Sequence, residues 1–512
     1  MEKKTSFIMG VVLLTTINFI VRSMGFIYRI LLSRMIGPQA IGLYQMVFPF
    51  LMVLITIPTA GIPIAVSKLV AKENSLKNRR GMFQILLLAL SIGGILSLIL
   101  TLFVSFKIDF ITERVLKNND LYLLILWIIP AISLITFSSI LRGFFYGIKD
   151  IKPAALAQII EQLSRITFVL AVLYMKKPDH PITMATIAII GLSIGELFGL
   201  ICLILSFGVR RIFKIIPYNR VLSSNIKQLK DILYISVPIT ISRLLSVFMQ
   251  TINAILIPHR LIISGYSQVA AVELFGKISG MAMPLLFLPF TVTSALVINI
   301  IPNISEQMAV KNIKDIETKG NQAIRITLLV AIPTTLIFTI MGKELASLVF
   351  HQRDVGLYLS LISYSTLFLC MQHTLSGILH GLGKQVITTI NFLLGMTIQL
   401  YCTYYLVPNP RYGIYGFIIG FTLSSFVIFT LNLISLRRYM PIRLSIVNTL
   451  IKPITAALMA VGTMFYLYYH PILSFSPNLY SAMVFIFGGF LYLAILVMTK
   501  AVDARSIIKN IK

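Results

Sequence analysis

Apolar runs of about 20 residues or more recur from one end of this 512-residue chain to the other. A run of that length can cross the hydrocarbon core of a bilayer as a helix, because a helix bonds its backbone polar groups within the segment. These runs also exceed the length of ordinary strands. Only 12% of the residues are charged, against roughly 25% in soluble domains. We therefore expect an all-α polytopic membrane protein.

The runs predict about fourteen transmembrane helices, arranged as two pseudo-symmetric six-helix lobes followed by two more helices. The expected domains are an N-lobe at 1–207, a cytoplasmic linker at 208–230, a C-lobe at 231–436, and two helices with a tail at 437–512. The apolar segments lie near 6–33, 40–66, 81–106, 121–147, 154–175, 183–207, 231–257, 269–301, 322–341, 355–381, 386–407, 412–436, 446–469 and 480–500.

The positions of lysine and arginine predict the orientation in the membrane. With fourteen helices, the connectors on the side of the N-terminus carry 28 of the 44 cations and the opposite connectors carry 10. Such a bias is typical of cytoplasmic connectors. We expect both termini in the cytoplasm, in a bacterial cell membrane. The same distribution accounts for the net charge of +27 without a nucleic acid partner, because no basic domain or binding motif is present.

An internal repeat relates the two halves at an offset of 234 residues. Leu141, Gly143 and Gly147 match Leu375, Gly377 and Gly381. The stretch 71–78 likewise resembles 305–312. Each half holds an even number of helices, so the repeat is parallel, with its axis along the membrane normal.

Nine charged residues fall inside the predicted helices, where each costs about 2.5–3.5 kcal/mol at mid-bilayer. They must therefore face the bundle interior or a wet cavity. They are Arg22, Arg29, Arg142, Glu161, Arg165, Glu196, Arg243, Glu273 and Lys277.

Helical spacing arranges several of these charges in polar stripes. Segment 1 carries Asn18, Arg22 and Arg29 on one face, and segment 7 carries Arg243, Gln250 and Asn253. Since these helices open the two halves, we expect their stripes to face one another across a central cavity.

Two acid–base pairs have alternative interpretations. Glu161 with Arg165, and Glu273 with Lys277, are four residues apart with the acid first, the spacing of a neutralising pair. They either neutralise each other or line the cavity. Arg142 lies near a helix end and could extend to the membrane surface.

Arg22, Arg29 and Arg243 have no acid within one turn. Unpaired guanidinium groups in a dry bundle are costly, whereas an anionic cargo would satisfy them. A planar guanidinium also binds diphosphate through paired hydrogen bonds.

No catalytic motif is present. The sequence lacks a phosphate-binding loop for ATP and a nucleophile elbow, so we expect no enzyme activity. The three cysteines and six histidines lack ligand spacing, so we expect no metal site. No cofactor is expected, and a coupling ion or the membrane potential would drive transport.

Residues 22–29 (RSMGFIYR), 37–45 (GPQAIGLYQ) and 59–70 (TAGIPIAVSKLV) carry a specific resemblance. The chain resembles the stage V sporulation protein B branch of the polysaccharide-biosynthesis exporters, within the multidrug, oligosaccharidyl-lipid and polysaccharide exporter superfamily. The resemblance implies two lobes with alternating access and a lipid-linked saccharide cargo. It also implies that Arg22, Arg29, Arg243 and Lys277 bind the diphosphate.

Three hypotheses follow. The first is a flippase for an undecaprenyl diphosphate-type oligosaccharide or peptidoglycan precursor, serving cell wall or spore cortex synthesis. The second is a cation-coupled multidrug exporter of the same superfamily, for which an acidic cavity would be expected. The third is a non-transporting scaffold within a complex of wall-synthesis proteins.

Overall fold

The computed structural model describes residues 2–209, 226–471, 476–499 and 501, with no side-chain description for 2–19, 22, 208, 209, 226, 227 and 242. Within these ranges the chain forms eighteen α-helices and no strand. The first eight are α1 (Glu2–Thr59), α2 (Ile62–Ser75), α3 (Arg79–Phe106), α4 (Ile108–Phe110), α5 (Tyr122–Gly147), α6 (Ile151–Lys176), α7 (Pro181–Val209) and α8 (Ile226–Ile263).

The remaining ten helices are α9 (Gln268–Phe275), α10 (Met283–Leu286), α11 (Phe290–Ala309), α12 (Ile313–Phe350), α13 (Val355–Ile362), α14 (Tyr364–Gly381), α15 (Gln385–Leu406), α16 (Ile414–Arg437), α17 (Lys452–Tyr469) and α18 (Pro477–Met498).

Twelve helices in the described ranges are long and apolar enough to cross a membrane, or thirteen when the bent pair α13 and α14 counts as one. One of them, Ser23–Ser75, has 53 residues. At 1.5 Å per residue it is about 80 Å long, more than twice the bilayer core of roughly 30 Å. That length accommodates two crossings. The all-α polytopic fold is confirmed, with twelve or thirteen helices of spanning length in the described ranges against about fourteen predicted.

Gly37 divides α1 into these two crossings. Its φ of 74° and ψ of 175° lie outside helical values. Glycine adopts a positive φ without steric cost, and a residue before proline is biased away from the helical region. Since Pro38 follows, the Gly37-Pro38 pair encodes the turn between the first and second predicted segments.

The internal repeat is visible in the packing of glycines within each half. A Cβ at Gly143 would lie 2.5 Å from the carbonyl oxygen of Pro63. A Cβ at Gly377 would lie 2.8 Å from the side chain of Val297. Pro63 and Val297 are themselves 234 residues apart, the same offset that relates the glycines. Each half thus packs the same helix pair through the same small residue.

Helix caps repeat at the same offset. Asn78 caps the start of α3 by accepting from Gly81 N at 3.1 Å. Asn312 caps α12 by accepting from Asp315 N at 3.3 Å. The lysine before each asparagine has a positive φ, of 56° at Lys77 and 55° at Lys311. The two halves therefore share local backbone geometry as well as sequence.

The chain divides into two compact units, Met1–His259 and Arg260–Lys512. This division assigns most of α8 to the first unit, whereas the predicted C-lobe begins at 231. The predicted domain boundaries therefore stay a prediction. The core of the first unit joins residues of α2, α3, α5, α6 and α7, with Phe144, Phe145 and Phe207 at its centre.

Helix α8 runs antiparallel to the second half of α1. A Cβ at Gly61 would lie 2.1 Å from the carbonyl oxygen of Ser236. Further along α8, the Thr251 hydroxyl donates to the carbonyl of Pro49 at 2.9 Å. The absence of a side chain at Gly61 therefore lets the two backbones touch.

In the second unit, α17 and α18 pack against α12. The Tyr492 hydroxyl donates to the carbonyl of Leu329 at 2.8 Å, and the Tyr469 hydroxyl donates to the Glu344 carboxylate at 2.6 Å. Arg325 of α12 also bonds the carbonyl of Ala501, beyond α18. The two trailing helices are thus joined to one neighbour along most of its length.

Candidate functional site

A cavity of about 730 Å³ lies in the first unit, among α1, α2, α5, α6 and α8. Three of its lining side chains are cationic, and none of its described lining residues is a carboxylate. The lining residues are Thr59, Ala60, Pro63, Ile64, Ser67, Lys68, Ala71, Ser139, Arg142, Gly143, Tyr146, Gln158 and Arg243.

Helical spacing places the cations on this wall. On α2 the lining positions 63, 64, 67, 68 and 71 are one, three or four residues apart and form one helix face. On α5 the positions 139, 142, 143 and 146 do the same. The contact of Gly143 with Pro63 brings these two faces together. Lys68 and Arg142 therefore belong to the same cavity.

Arg142 lies between the cavity and two buried carboxylates. Its Nη1 is 2.9 Å from Glu161 Oε2, and its Nη2 is 3.5 Å from Glu196 Oε2. Arg165 Nη2 lies 2.7 Å from the other oxygen of Glu161. The four side chains form a quartet of two arginines and two carboxyl groups. Of the four, only Arg142 lines the cavity.

This quartet decides between the alternatives for Glu161, Arg165 and Arg142. Glu161 and Arg165 do pair, as their spacing predicts. Arg142 does not extend to the membrane surface, because its guanidinium bonds two carboxylates inside the unit. The partnership with Glu196 joins residues 54 positions apart, so no local pattern could reveal it.

Lys68 and Arg243 have no ion pair within the part of the chain that the structure describes. Arg243 also lines a second, adjacent cavity of about 500 Å³ with Pro238, Ile239 and Ser246. Both side chains are solvent-exposed. The sequence predicted Arg243 as a site residue. It placed Lys68 among the cations of the cytoplasmic connector at 68–80, which follows the second apolar segment. The four-residue step from Ile64, on the cavity face of α2, was the available signal.

Arg29 lies elsewhere in the first unit. Helix α1 approaches α6 at Gly25, whose added Cβ would lie 3.4 Å from Gln162 Nε2. Arg29 is half-buried and interacts electrostatically with Tyr44, which also interacts with Arg165. It does not line the cavity. The structure thus places Arg29 beside the polar face of α6, apart from the wall formed by Arg243.

The rest of the two polar stripes is only partly described. The side chains of Asn18 and Arg22 lie outside the described residues. Gln250 is exposed, and Asn253 is buried. Asn253 Nδ2 donates to the carbonyl of Met249 at 3.3 Å, and its Oδ1 has no partner.

In the second unit, Lys277 is paired with two acids. Its Nζ lies 2.7 Å from Glu273 Oε1 and 2.5 Å from Asp354 Oδ2. Asp354 precedes α13 and was not foreseen from the sequence. Two carboxylates outweigh one ammonium, so this cluster does not offer a free cation. Diphosphate binding by Lys277 stays a prediction.

The second unit has neutral groups where the first has its quartet. Ser376 occupies the repeat position of Arg142 and accepts from Asn432 Nδ2 at 3.0 Å. Asn432 in turn accepts from Asn391 at 2.8 Å. The repeat therefore preserves the helix packing but not the charge.

The fold defines a polytopic helical membrane protein built from two repeated halves, with a cationic cavity in the first unit. A family model described as "Polysaccharide biosynthesis protein" matches residues 7–308, and one described as "MatE" matches 238–405. The chain belongs to the polysaccharide biosynthesis protein family, in the branch similar to stage V sporulation protein B of the multidrug, oligosaccharidyl-lipid and polysaccharide exporter superfamily.

Individual relatives agree with this assignment. The chain is 28% identical to stage V sporulation protein B of Bacillus subtilis (strain 168) over 444 residues, covering 86% of each chain. Its fold is similar to that of the lipid II flippase MurJ in an inward closed conformation. The TM-score is 0.69 at 14% identity, covering 97% of this chain and 100% of the other.

A second similar structure is an inward-facing multidrug resistance MATE family transporter. Its TM-score is 0.65 at 17% identity, covering 81% of this chain and 93% of the other. At these identities the two structural similarities define the fold.

Proposed function

We propose that the chain is a flippase that moves a lipid-linked saccharide precursor with a phosphate-bearing headgroup across the cytoplasmic membrane by alternating access. The observation that carries the proposal is the cavity lined by Lys68, Arg142 and Arg243 without a lining carboxylate. The family assignment and the named flippase among similar structures support it. The activity is transport rather than enzyme catalysis.

The charge of the cavity favours an anionic cargo. Lys68 and Arg243 have no described carboxylate partner, and cations without partners near a low-dielectric wall strengthen binding to an anion. Hydrogen bonds to charged groups contribute about 1.5–3 kcal/mol each. Two such cations can therefore hold a diphosphate selectively, while the saccharide and the lipid tail make weaker contacts elsewhere.

The physiological process proposed is the supply of precursor for cell wall or spore cortex synthesis. The relative named as a sporulation protein supports this context. The bilayer and the lipid-linked saccharide are the proposed partners, and proteins of wall synthesis are further candidates. A coupling ion or the membrane potential would supply the driving force.

The test is depletion in a native host followed by identification of the undecaprenyl-linked intermediate that accumulates on the cytoplasmic side. Complementation with wild type should clear the intermediate. Lys68→Ala and Arg243→Ala should each leave it accumulated, because each removes one headgroup contact. Lys72→Ala is the matched control, since Lys72 is an exposed lysine one turn further along α2 and does not line the cavity.

Two results would contradict the proposal. One is normal clearance by the Lys68→Ala/Arg243→Ala double variant at wild-type protein levels. The other is depletion without accumulation of any lipid-linked intermediate. Normal function of the double variant would favour the scaffold hypothesis.

A cation-coupled multidrug exporter is the second candidate, because the MatE family model matches residues 238–405. Such an exporter needs acidic groups that face cationic drugs, whereas the acids nearest this cavity are paired with arginines behind its wall. Efflux of ethidium by cells that express the chain, and not by cells that lack it, would favour this candidate.

A further inference from the structure

Arg142 is shared between the cavity and the two acids behind it. It is the one member of the buried quartet that lines the cavity. Its two nitrogens contact two different carboxylates, at 2.9 Å and 3.5 Å. A guanidinium has five donors in a planar fork, so the two contacts leave donors that can turn toward a ligand in the cavity.

The two carboxylates hold Arg142 unequally. Glu161 is bound by Arg142 and by Arg165, at 2.9 and 2.7 Å. Glu196 forms an ion pair with Arg142 at the longer distance of 3.5 Å, and it also neighbours Glu161 and Arg165. An anion that enters the cavity therefore competes for Arg142 mainly against Glu196. Glu161 stays neutralised by Arg165 when Arg142 turns away.

We propose that Glu196 is a positioning residue that competes with the cargo headgroup for Arg142 and so keeps headgroup binding weak enough for release. This inference rests on the proposed function, because it takes the cargo headgroup to be anionic. A transport site must bind well enough to load and weakly enough to unload. Lys68 and Arg243 attract the anion, and Glu196 limits how much Arg142 contributes to the affinity for the headgroup.

The consequence of removing the competitor follows from the charges. In wild type the quartet holds two arginines and two carboxyl groups. Glu196→Gln leaves two arginines and one carboxylate, an excess of one cation next to the cavity. A buried cation deprived of its partner is unstable, and an anion in the cavity would satisfy it. Loss of this acid should therefore strengthen ligand binding, whereas loss of a merely structural residue would weaken it.

The experiment measures binding to the purified full-length protein in detergent, with inorganic pyrophosphate and farnesyl diphosphate as probes. We expect Glu196→Gln to bind both about tenfold more tightly than wild type, which corresponds to about 1.4 kcal/mol. In reconstituted vesicles the apparent KM for the transported lipid should fall and the turnover rate should fall with it. Glu317→Gln is the control, since Glu317 pairs with exposed Arg443 in the second unit.

A double-mutant cycle tests whether Glu196 acts through Arg142. In an Arg142→Gln background, Glu196→Gln should leave probe affinity unchanged. A tenfold gain in probe affinity that persists in the Arg142→Gln background would overturn the proposal. Unchanged or weaker probe binding in the Glu196→Gln single variant, with a melting temperature near that of wild type, would overturn it as well.

The same measurements separate this inference from the proposed function. If Lys68→Ala and Arg243→Ala weaken probe binding but Glu196→Gln does not strengthen it, the proposed role of Glu196 is contradicted and the proposed function is not. If wild type binds neither probe, the proposal of an anionic cargo is contradicted, and the proposed competition by Glu196 is contradicted with it.

Discussion

Single residues in the first unit decide both its charge balance and its packing. Glu161 neutralises Arg142 and Arg165 together, so its removal uncovers two cations at once. Breaking a buried pair by removal of one partner costs about 3–5 kcal/mol. The energetic importance of Glu161 therefore exceeds that of the more weakly held Glu196.

We expect Glu161→Gln to lower the free energy of unfolding by about 3–5 kcal/mol. Thermal unfolding in detergent measures the loss as a lower melting temperature. Asp315→Asn is the control, because Asp315 pairs with Lys319 at 3.0 Å in a partly exposed site, where a pair contributes about 0–1 kcal/mol. Equal melting temperatures of the two variants would contradict the buried quartet.

Gly143→Ala should destabilise the protein by about 1–3 kcal/mol, because the new Cβ meets the backbone of Pro63 at 2.5 Å. Gly377→Ala should cost less, since its Cβ meets a Val297 side chain that can shift. Gly462→Ala, with nothing within 4 Å, should have no cost. Melting temperatures should rank in that order, and a Gly143→Ala variant as stable as Gly462→Ala would refute the close contact.

At the residue scale, sequence reasoning was sound where partners are neighbours in the chain. The spacing of Glu161 and Arg165 allowed either pairing or cavity lining, and the structure shows the pair while neither residue is among the residues that line the cavity. The sequence identified Glu196 as an interior charge but not its partner Arg142, and it did not identify Asp354, because each acid meets its partner across tens of residues. Lys68 was not predicted as a cavity residue, because a cation at a predicted helix end is ordinarily explained by the positive-inside rule.

At the scale of elements, apolar length located nearly every helix, and the repeat predicted which helices pack alike. Apolar length alone does not show interruptions inside helices, such as the π-helix Gly276–Ala282 between α9 and α10, because it is the same whether a helix is regular or broken. Glycine and proline are the available signals. Gly280 lies inside this interruption and Pro284 shortly after it, and Gly37 precedes a proline at the break in α1.

Gly37→Ala should destabilise the turn between the first two crossings. A residue with a side chain at φ 74° and ψ 175° is strained by about 1–3 kcal/mol. The expected result is a lower melting temperature and a lower yield of folded protein. Gly489→Ala is the control because a Cβ there meets nothing within 4 Å. Equal stability of both variants would argue against the positive φ.

The attachment of α17 and α18 to α12 predicts a difference between two tyrosines, Tyr469 on α17 and Tyr492 on α18. Tyr469→Phe leaves the buried Glu344 carboxylate without the described hydroxyl partner, and one of its oxygens already lacks a partner. We expect a loss of about 1–3 kcal/mol. Tyr492→Phe removes a neutral bond to Leu329 and should cost about 0.5–1.5 kcal/mol. The reverse order in thermal unfolding would contradict this attachment.

At the scale of the whole molecule, the distribution of cations predicts the topology. Alkaline phosphatase fused after Leu116 or Arg411 should be active, because both connectors belong to the cation-poor set. Fusions after Leu76 or Asp150 should be inactive, and a green fluorescent protein at the C-terminus should fluoresce. Alkaline phosphatase activity in connectors of both the cation-poor and the cation-rich set would overturn the assigned orientation.

The contact of Gly61 with Ser236 has a consequence for chemical labelling. Because the backbones touch there, a cysteine introduced at Ser236 would be shielded from a water-soluble maleimide for as long as the contact lasts. Its labelling rate therefore reports how often α2 and α8 separate. Adding a methyl group at Gly61 should hold them apart and raise that rate, giving a reporter of helix separation that requires no knowledge of the cargo.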